Sequence, residues 1–377
     1  MSQTLATRTT DQTPDNAAPA AGGSGGDDGP KEPTSTRQPR RRRRILVIAL
    51  IAIVLILAIP AAAAFYVGHR LTSQITRVHG VFDNLPTRPT KPTTGAAAEA
   101  QNILLLGTDR RSEVATTGSS AKASEWVSGQ QRTDTMMILH IDADRRGASL
   151  ISIPRDSWVS IPGRGMAKIN AAYSWGGPRL AVATVEKLTN LRVDHVAIVD
   201  WDGYKAMIDK LGGVDVTVPK TVYDSARKYT WTAGPHHLDG AQALLYARER
   251  HGLPGGDLDR VKRQQAVLRA LSQKALAATG SPTATYKLLD SLTEHLSIDS
   301  EWSTTSMAKL TLSLRHLHSS DVTYLTAPVN GTGMEGAQSV VYLNPAVDAS
   351  LWTALRNDSM DIWQSAHSGA LTGSLVN

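Results

Sequence analysis

The chain divides into three stretches by its pattern of apolar and polar positions. Residues 1–39 are rich in Thr, Ala, Gly, Asp and Pro and contain almost no large apolar side chains. Residues 45–67 then form a run of about twenty-three positions without a charge. From about residue 101 onward, short apolar runs alternate with segments of helical spacing. The first stretch cannot bury enough apolar surface to fold, so residues 1–44 are predicted to be a disordered tail.

The uncharged run directly follows five consecutive arginines at positions 40–44. A bilayer core about 30 Å thick needs roughly 20 apolar residues of helix, so residues 45–67 are predicted to form a transmembrane helix. Arginines beside such a helix favour the cytoplasmic side, which places the tail in the cytoplasm and the remaining chain outside the cell membrane. A cleaved signal peptide is the alternative, because the alanines at 61–64 resemble a cleavage site. Secretory apolar regions are usually shorter, so a retained single-pass anchor is favoured.

The remainder of the chain has the pattern of apolar and polar positions that is typical of an α/β protein. Residues 68–100, with prolines at 86, 89 and 92, are predicted to form an extracytoplasmic stalk or linker. Residues 101–377 are predicted to form one domain, with a largely buried sheet and helices on both faces. The predicted strands are 103–106, 136–141, 149–153, 195–199, 214–218 and 322–327. The predicted helices are 179–188, 204–211, 241–247, 260–278, 283–292, 304–317 and 345–356.

Charge and cysteine content narrow the possible functions. The formal net charge is +6, but residues 1–44 hold eight Lys or Arg against five Asp or Glu, so half of the excess lies in the tail. Basic residues beside a bilayer are explained by topology and lipid headgroups, so we expect no nucleic-acid partner. The chain has no cysteine, which excludes disulfides and thiolate metal sites.

Charged side chains stand at the ends of three predicted strands. They are Asp109 after the first strand, Arg132 and Asp134 before the second, and Arg155 and Asp156 after the third. Ligands of strand-rich α/β domains usually bind at strand ends, where loops present polar groups. We therefore expect these side chains to lie close together, with Asp156 in a structural role that orients Arg155 or a neighbour.

A second polar group lies in the segment LLYARERHGLPGGDLDRVKRQQ. If residues 247–251 are extended, Arg248 and Arg250 point the same way. Asp259 is predicted to cap a helix over 260–278, whose N-terminal N–H groups suit an anion. Three polar side chains share one face of its first turn, at spacings i, i+3 and i+4. They are Arg260, Arg263 and Gln264.

Arginines and paired aspartates have a specific chemical interpretation. Guanidinium groups bind phosphate oxygens through paired hydrogen bonds. Two carboxylates can hold Mg²⁺, a hard cation that bridges to phosphates. Phosphoryl transfer needs chiefly positioning and charge stabilisation, which this set of residues could supply to a pyrophosphate.

The segments that carry these residues resemble the LytR–CpsA–Psr family of membrane-anchored cell-wall enzymes. The resemblance runs from about residue 102 to 271, through NILLLGTD, RTDTMMILHID, ISIPRDSWVSIPG, KINAAYSWGGP, DHVAIVDWDGY, IDKLGGVDVTVP, LDGAQALLYARER and DRVKRQQ. It implies an α–β–α sandwich with a central mixed sheet and a hydrophobic pocket for a polyprenyl chain. It also implies a phosphotransferase that moves a glycan-1-phosphate from a polyprenyl-pyrophosphate carrier onto a peptidoglycan hydroxyl.

The resemblance also implies roles for individual residues. Asp109 and Asp134 match the aspartates that bind Mg²⁺ (or Mn²⁺). The residues matching phosphate-binding arginines are Arg132, Arg155, Arg248 and Arg250. Gln264 matches a glutamine of the same polar cluster, and Arg260 and Arg263 lie in the matching helix. The implied partners are the polyprenyl-pyrophosphate-linked glycan, the peptidoglycan acceptor and the bilayer.

Several alternatives stay open. Residues 110–131 are a longer excursion than compact members of the family need, either a lid or, slightly favoured, a surface insertion. A pyrophosphatase that transfers the phosphate to water has the same inventory of residues. A non-catalytic wall-binding module would need the arginines but not the paired aspartates. A transcription attenuator is disfavoured, because the tail has only one basic cluster. Neither the transferred polymer nor the general base is evident from the sequence.

Overall fold

The computed structural model describes residues 68–70, 73–85, 88–109, 116–119, 121, 126–278 and 281–375. The predicted tail (1–44) and the predicted transmembrane helix (45–67) lie outside these residues. Within the described ranges, every helix is too short or too polar to cross a bilayer. Membrane anchoring therefore stays a prediction.

A mixed sheet of seven strands forms the centre of the domain, as the resemblance implied. Its spatial order is β1, β12, β7, β2, β3, β4 and β13. β2 lies parallel to β7 and antiparallel to β3, and β4 lies parallel to β13. The strands of this sheet are β1 (Thr76–Val78), β2 (Gln101–Asp109), β3 (Arg132–Ile141), β4 (Ala148–Ser152), β7 (His195–Asp200), β12 (Ser297–Asp299) and β13 (Val322–Thr326).

The remaining strands pair in two-stranded hairpins outside the seven-stranded sheet. They are β5 (Trp158–Ile161) with β6 (Gly165–Lys168), β8 (Val214–Val218) with β11 (Gly234–Leu238), β9 (Val222–Asp224) with β10 (Tyr229–Trp231), and β14 (Val329–Glu335) with β15 (Gln338–Leu343). All six strands predicted from the sequence are strands. The placement of 214–218 in the central sheet was wrong, because its alternating VDVTV pattern suits a strand with one exposed face.

Helices cover both faces of the central sheet. They are α1 (Ala96–Glu99), α2 (Asn170–Thr189), α3 (Trp201–Lys210), α4 (Gly240–Ala247), α5 (Asp257–Ala278), α6 (Pro282–His295), α7 (Thr304–Ser313), α8 (Pro345–Arg356) and α9 (Met360–Ala366). Leu104 and Ile138 point into the core shared with α2, α8 and α9. On the opposite face, Ile103 packs with Leu310 of α7, and Met137 lies in a cluster with Leu268 of α5. The layers are therefore α, β and α.

Part of the segment predicted to be a stalk belongs to the folded domain. β1 is an edge strand of the central sheet, paired with β12. Farther along, the Arg88 guanidinium donates hydrogen bonds to the buried carboxylate of Glu186, at 2.7 Å for the shortest, and to the Val193 carbonyl at 2.6 Å. These contacts tie residues around Arg88 to α2 and the start of β7.

Several described residues of the excursion after β2 contact the rest of the domain. Thr116 donates from its backbone N–H to the buried carboxylate of Asp200 at 2.7 Å, and Asp200 also caps α3 by accepting from Gly203 N–H. Trp126 packs against a break in α2 at Gly177, where φ is +64°. A Cβ at position 177 would lie 2.9 Å from the indole, so both the backbone angle and this contact require glycine.

Asp348, in the first turn of α8, has a buried carboxyl group. Its side chain is 4% exposed, and neither oxygen has a hydrogen-bond partner within the described residues. Burial raises the pKa of Asp348 to about 7. The unfolded chain releases this proton near pH 4, so the folded state holds more protons between pH 4 and pH 7. Stability contributed by this group is therefore present at low pH and lost as the pH rises through about 7.

We expect the free energy of unfolding to fall by roughly 2–3 kcal/mol between pH 5 and pH 8 because of Asp348. In Asp348→Asn this part of the decrease should disappear, since the amide does not titrate. Urea unfolding followed by tryptophan fluorescence at the two pH values measures the difference. Asp361→Asn, which removes an exposed carboxylate from α9, should keep the wild-type decrease. Identical pH dependence in wild type and Asp348→Asn would contradict this assignment.

Candidate active site

Two of the predicted ligands lie at the end of the β2–β3 pair, where the register shifts. Asp109 lies opposite Arg132 across the two strands. Gly107 pairs with Thr135 and Thr108 with Thr133, so Asp134 is the extra residue of a bulge. Bulges of this kind re-aim a side chain and are common beside active sites. The bulge therefore places Asp134 on the strand next to Asp109, two positions from Arg132.

Trp201 connects Asp109 to the arginine that follows α4. Its indole N–H donates to Asp109 Oδ1 at 3.4 Å. The Arg248 guanidinium carbon lies 5.4 Å from the centre of the Trp201 ring, a cation–π contact. Trp201 begins α3, directly after the end of β7, so the ends of β2 and β7 and the end of α4 meet here.

Arg155 is the centre of the second half of the site. It follows β4, and its Nη1 donates to Asp134 Oδ1 at 2.5 Å. Nη2 lies 3.5 Å from Asp257 Oδ1, and Nε lies 3.7 Å from Asp156 Oδ2. Asp156 is paired more closely with Lys168, at 3.1 Å, so its expected role in orienting Arg155 is shared with that lysine.

The carboxylates around Arg155 determine the direction in which its pKa is shifted. Burial alone would lower the pKa of Arg155, but Asp134, Asp257 and Asp156 together outweigh burial and raise it. The neighbouring Arg260 has its pKa lowered, first by burial and also by the charge of Arg155, although Asp257 opposes the shift. The two guanidinium groups therefore repel each other and share Asp257 as a counter-ion. An anionic ligand would relieve that repulsion.

The helix that carries Arg260 begins earlier than predicted. α5 starts at Asp257, and Asp257 pairs with Arg260 at 2.8 Å, at i, i+3 spacing. Asp259 is therefore inside the first turn and is not the N-cap. Its carboxylate accepts from Gly255 N–H at 2.7 Å and pairs with Lys262 at 2.9 Å, which fastens the preceding loop to the helix.

Arg248 and Arg250 flank a buried glutamate. Arg248 ends α4 in a helical conformation, so residues 247–251 are not uniformly extended as supposed. Glu249 is fully buried and accepts from Arg263 Nη1 at 2.9 Å, and Arg263 is fully buried as well. Arg248 is half-buried and Arg250 is exposed. The inward side chain of Glu249 thus leaves both flanking arginines on the solvent side of the loop.

Arg263 and Gln264 do not face solvent. The Arg263 guanidinium stacks on Tyr246, 4.4 Å from the ring centre, in addition to its pair with Glu249. Gln264 is buried, at 7% exposure. Next to it, Gln265 donates to Ser152 Oγ and to the Leu325 carbonyl, both at 2.7 Å, which joins α5 to β4 and β13. In this arrangement Arg263 supports the loop that carries Arg248 and Arg250.

The structure therefore brings most of the predicted ligands to one end of the sheet, through two contact networks. The first joins Asp109, Trp201 and Arg248, and the second joins Asp134, Arg155, Asp257 and Arg260. Arg132 lies between them on β3, and its side chain is exposed. Three contributors were missed from the sequence, namely Trp201, Asp257 and Glu249. Asp257 could have been predicted, because its i, i+3 spacing to Arg260 is typical of an ion pair on a helix.

A group able to hold a metal ion lies at the other end of β3. His140, Asp142 and Asp358 each offer one ligand atom, and these atoms lie within 4.8 Å of one another. None of the three was predicted from the sequence to be a ligand.

Comparisons with known proteins identify the family of the chain. The model of the LytR_cpsA_psr family matches residues 71–357, which is most of the chain. Among solved structures, TagT of B. subtilis bound to LI-WTA superposes with a TM-score of 0.55 and 25% identity. That match covers 74% of this chain and 98% of TagT.

Two relatives carry names that describe cell-wall synthesis. "Probable cell wall biosynthesis protein LcpB" of Corynebacterium glutamicum is 36% identical over 229 residues, 60% of this chain and 55% of the relative. The polyisoprenyl-teichoic acid–peptidoglycan teichoic acid transferase TagU of Oceanobacillus iheyensis is 38% identical over 207 residues, 53% of this chain and 59% of TagU. The chain thus spans less than two-thirds of the length of either relative. By the extent of the family match, the chain belongs to the LytR–CpsA–Psr family.

Proposed function

We propose that this protein is a membrane-anchored phosphotransferase that moves a glycan-1-phosphate from a polyprenyl-pyrophosphate carrier onto a peptidoglycan hydroxyl. The observation that carries the proposal is the convergence of carboxylates and guanidinium groups at one end of the central sheet. Arg155 and Arg260 share the counter-ion Asp257, while Arg132 and Arg250 extend exposed side chains from neighbouring segments. A diphosphate supplies the negative charge that such a set of arginines can bind.

The proposed reaction exchanges one phosphorus–oxygen bond for another. The acceptor hydroxyl attacks the phosphorus attached to the glycan, and the bond from that phosphorus to the bridging oxygen breaks. Polyprenyl phosphate leaves with the bridging oxygen, and the acceptor loses its proton. Fixed guanidinium groups stabilise the negative charge that develops on the phosphoryl oxygens, because they are already oriented before the reaction. Arg155, held by Asp134 and Asp257, is the best positioned for this role.

Asp109 and Asp134 fit a Mg²⁺ ion by the chemistry of their oxygens. Asp109 Oδ1 accepts one long hydrogen bond from Trp201, and Asp134 Oδ1 accepts from Arg155. Within the described residues, the second oxygen of each carboxylate has no hydrogen-bond partner, so a hard cation could be bound there by both residues. When bound, such an ion polarises phosphoryl oxygens and offsets their charge. Mn²⁺ suits the same oxygens.

A cavity at the β1 edge of the sheet suits the apolar part of the carrier. Its volume is about 910 Å³, and it lies between β1, α2 and Trp126. The apolar residues that line it include Val78, Val81, Leu85 and Leu180. We assign the polyprenyl chain to this cavity.

The names of two relatives support both substrates. TagU is named for transfer from a polyisoprenyl-linked teichoic acid to peptidoglycan, and TagT is bound to LI-WTA.

A pyrophosphatase remains the main alternative, because the acceptor alone distinguishes the two reactions. Incubation of the full chain with a synthetic polyprenyl-pyrophosphate glycan, peptidoglycan and Mg²⁺ tests the proposal. We expect product attached to peptidoglycan. Release of glycan phosphate alone would show that the reaction is hydrolysis and not transfer.

Arg155→Ala should lower the rate of transfer by about 10²–10³, the usual effect of removing one preorganised donor to a developing oxyanion. The variant also leaves Asp134 and Asp257 without their shared cation, so the unfolding midpoint should be measured beside the rate. Single-turnover assays with radiolabelled donor give the chemical step. Arg315→Ala, which removes an exposed arginine after α7, is the control and should retain the wild-type rate. Wild-type turnover in Arg155→Ala would exclude this site.

Arg248→Lys should lower activity, although it keeps the positive charge. An ammonium cannot make the paired hydrogen bonds of a guanidinium or stack on Trp201 in the same way. We expect a loss of at least about tenfold in kcat/KM, measured with the same donor and acceptor. Lys228→Arg, on the turn between β9 and β10, is the matched control, because it also exchanges one cationic side chain for the other. Equal activity of Arg248→Lys and wild type would show that only charge matters at this position.

A further inference from the structure

At the end of the sheet remote from Asp109, we infer that His140, Asp142 and Asp358 bind one divalent transition-metal ion of the Zn²⁺ type. His140 and Asp142 lie at the end of β3 and in the turn that follows it. Asp358 comes from the segment between α8 and α9. This site is independent of the proposed transferase chemistry and uses none of its residues.

The spacing of the three ligand atoms matches a metal centre. His140 Nε2 lies 3.2 Å from Asp358 Oδ1 and 3.6 Å from Asp142 Oδ1. Bonds of about 2.0–2.2 Å at tetrahedral angles place ligand atoms roughly 3.4 Å apart. The two distances from His140 fall on either side of that value, and all three ligand atoms lie within 4.8 Å of one another. Both carboxylates are therefore within reach of an ion bound at Nε2.

The hydrogen bonds around His140 fix which ring nitrogen faces the carboxylates. The Asn102 amide is oriented by its Nδ2, which donates to the Arg192 carbonyl at 3.1 Å. Its Oδ1 must therefore accept, and it lies 2.7 Å from His140 Nδ1. Nδ1 consequently carries a hydrogen, and Nε2 points at Asp358 and Asp142. Histidine ligands of metals typically donate their second N–H to a carbonyl or carboxylate oxygen in this way.

A cation is needed beside Nε2. A neutral ring with hydrogen on Nδ1 would direct the lone pair of Nε2 at two carboxylates, which is repulsive. The Arg145 guanidinium donates to the carbonyls of Asp142 and Glu99. A metal ion bound at Nε2 would offset the negative charge of the two carboxylates.

The donor set indicates the class of ion. One imidazole with two carboxylates suits Zn²⁺ and its neighbours in the first transition row, whereas Mg²⁺ and Ca²⁺ prefer sites made of oxygen alone. The Asp142 side chain is 32% exposed, while His140 is fully buried. Water can therefore reach the ion from the Asp142 side and complete the coordination. Bound there, the ion would join the β3–β4 turn to the segment after α8.

The test is metal titration of the full chain, prepared without a histidine tag and treated with chelator. Isothermal titration with Zn²⁺ should show one more equivalent bound by wild type than by Asp142→Asn or Asp358→Asn. Asn tolerates the positive φ of 52° at position 358, so the second variant preserves the backbone there. Asp144→Asn, which removes a nearby carboxylate that is not a ligand, should bind as wild type does. Any ion bound at Asp109 and Asp134 is common to all four proteins and cancels in the comparison.

Two further measurements identify the ligands and the effect of the ion. Co²⁺ should produce visible d–d absorption in wild type that is absent in Asp142→Asn. Saturating Zn²⁺ should raise the thermal midpoint of wild type and of Asp144→Asn but not of either ligand variant, because the ion binds only the folded state. Equal Zn²⁺ binding by wild type and both ligand variants would overturn the inference. Absence of binding would overturn it too.

Discussion

The pairing of Arg155 with carboxylates from three different segments is the interaction on which the candidate site depends. Asp134 comes from the bulge in β3, Asp156 follows Arg155 in the chain, and Asp257 begins α5. A partly buried guanidinium is stable only when its charge is balanced, so these segments must converge for any of them to keep its position. The same balance means that an anionic ligand competes with the carboxylates for Arg155. Binding of the proposed diphosphate would therefore exchange one set of partners for another.

The Glu249–Arg263 pair contributes more to the position of its loop than to the stability of the fold. Both side chains are fully buried, and burial raises the pKa of Glu249 to about 7 even though Arg263 opposes the shift. A buried ion pair of this kind adds little net stability, but loss of one partner costs about 3–5 kcal/mol because a charge is left uncompensated. Glu249 lies between Arg248 and Arg250, so the pair fixes the loop on which both arginines stand. Arg263, expected from sequence to bind phosphate, instead supports the loop that carries Arg248 and Arg250.

Much of the fold could be predicted from apolar patterns, because burial imposes them directly. The helix at 345–356 has the predicted bounds, and the strands around Asp109, Asp134 and Arg155 lie where the apolar runs placed them. The start of α5 was misplaced by a few residues, since Asp257 and Asp259 are both good first-turn residues and only the loop contact of Asp259 decides between them. The burial of Arg263 could not be foreseen. Its spacing to Arg260 and Gln264 is compatible with a shared ligand-binding face, and its partner Glu249 lies across a loop.

The break in α2 beside Trp126 has a consequence for how this family member tolerates change. Asp200 holds one side of the excursion through Thr116, and the glycine at 177 seats the indole that holds the other. A side chain at position 177 would meet the indole and would also be strained at the positive φ found there. A substitution at this helix position would therefore disturb the excursion, although the two are distant in sequence.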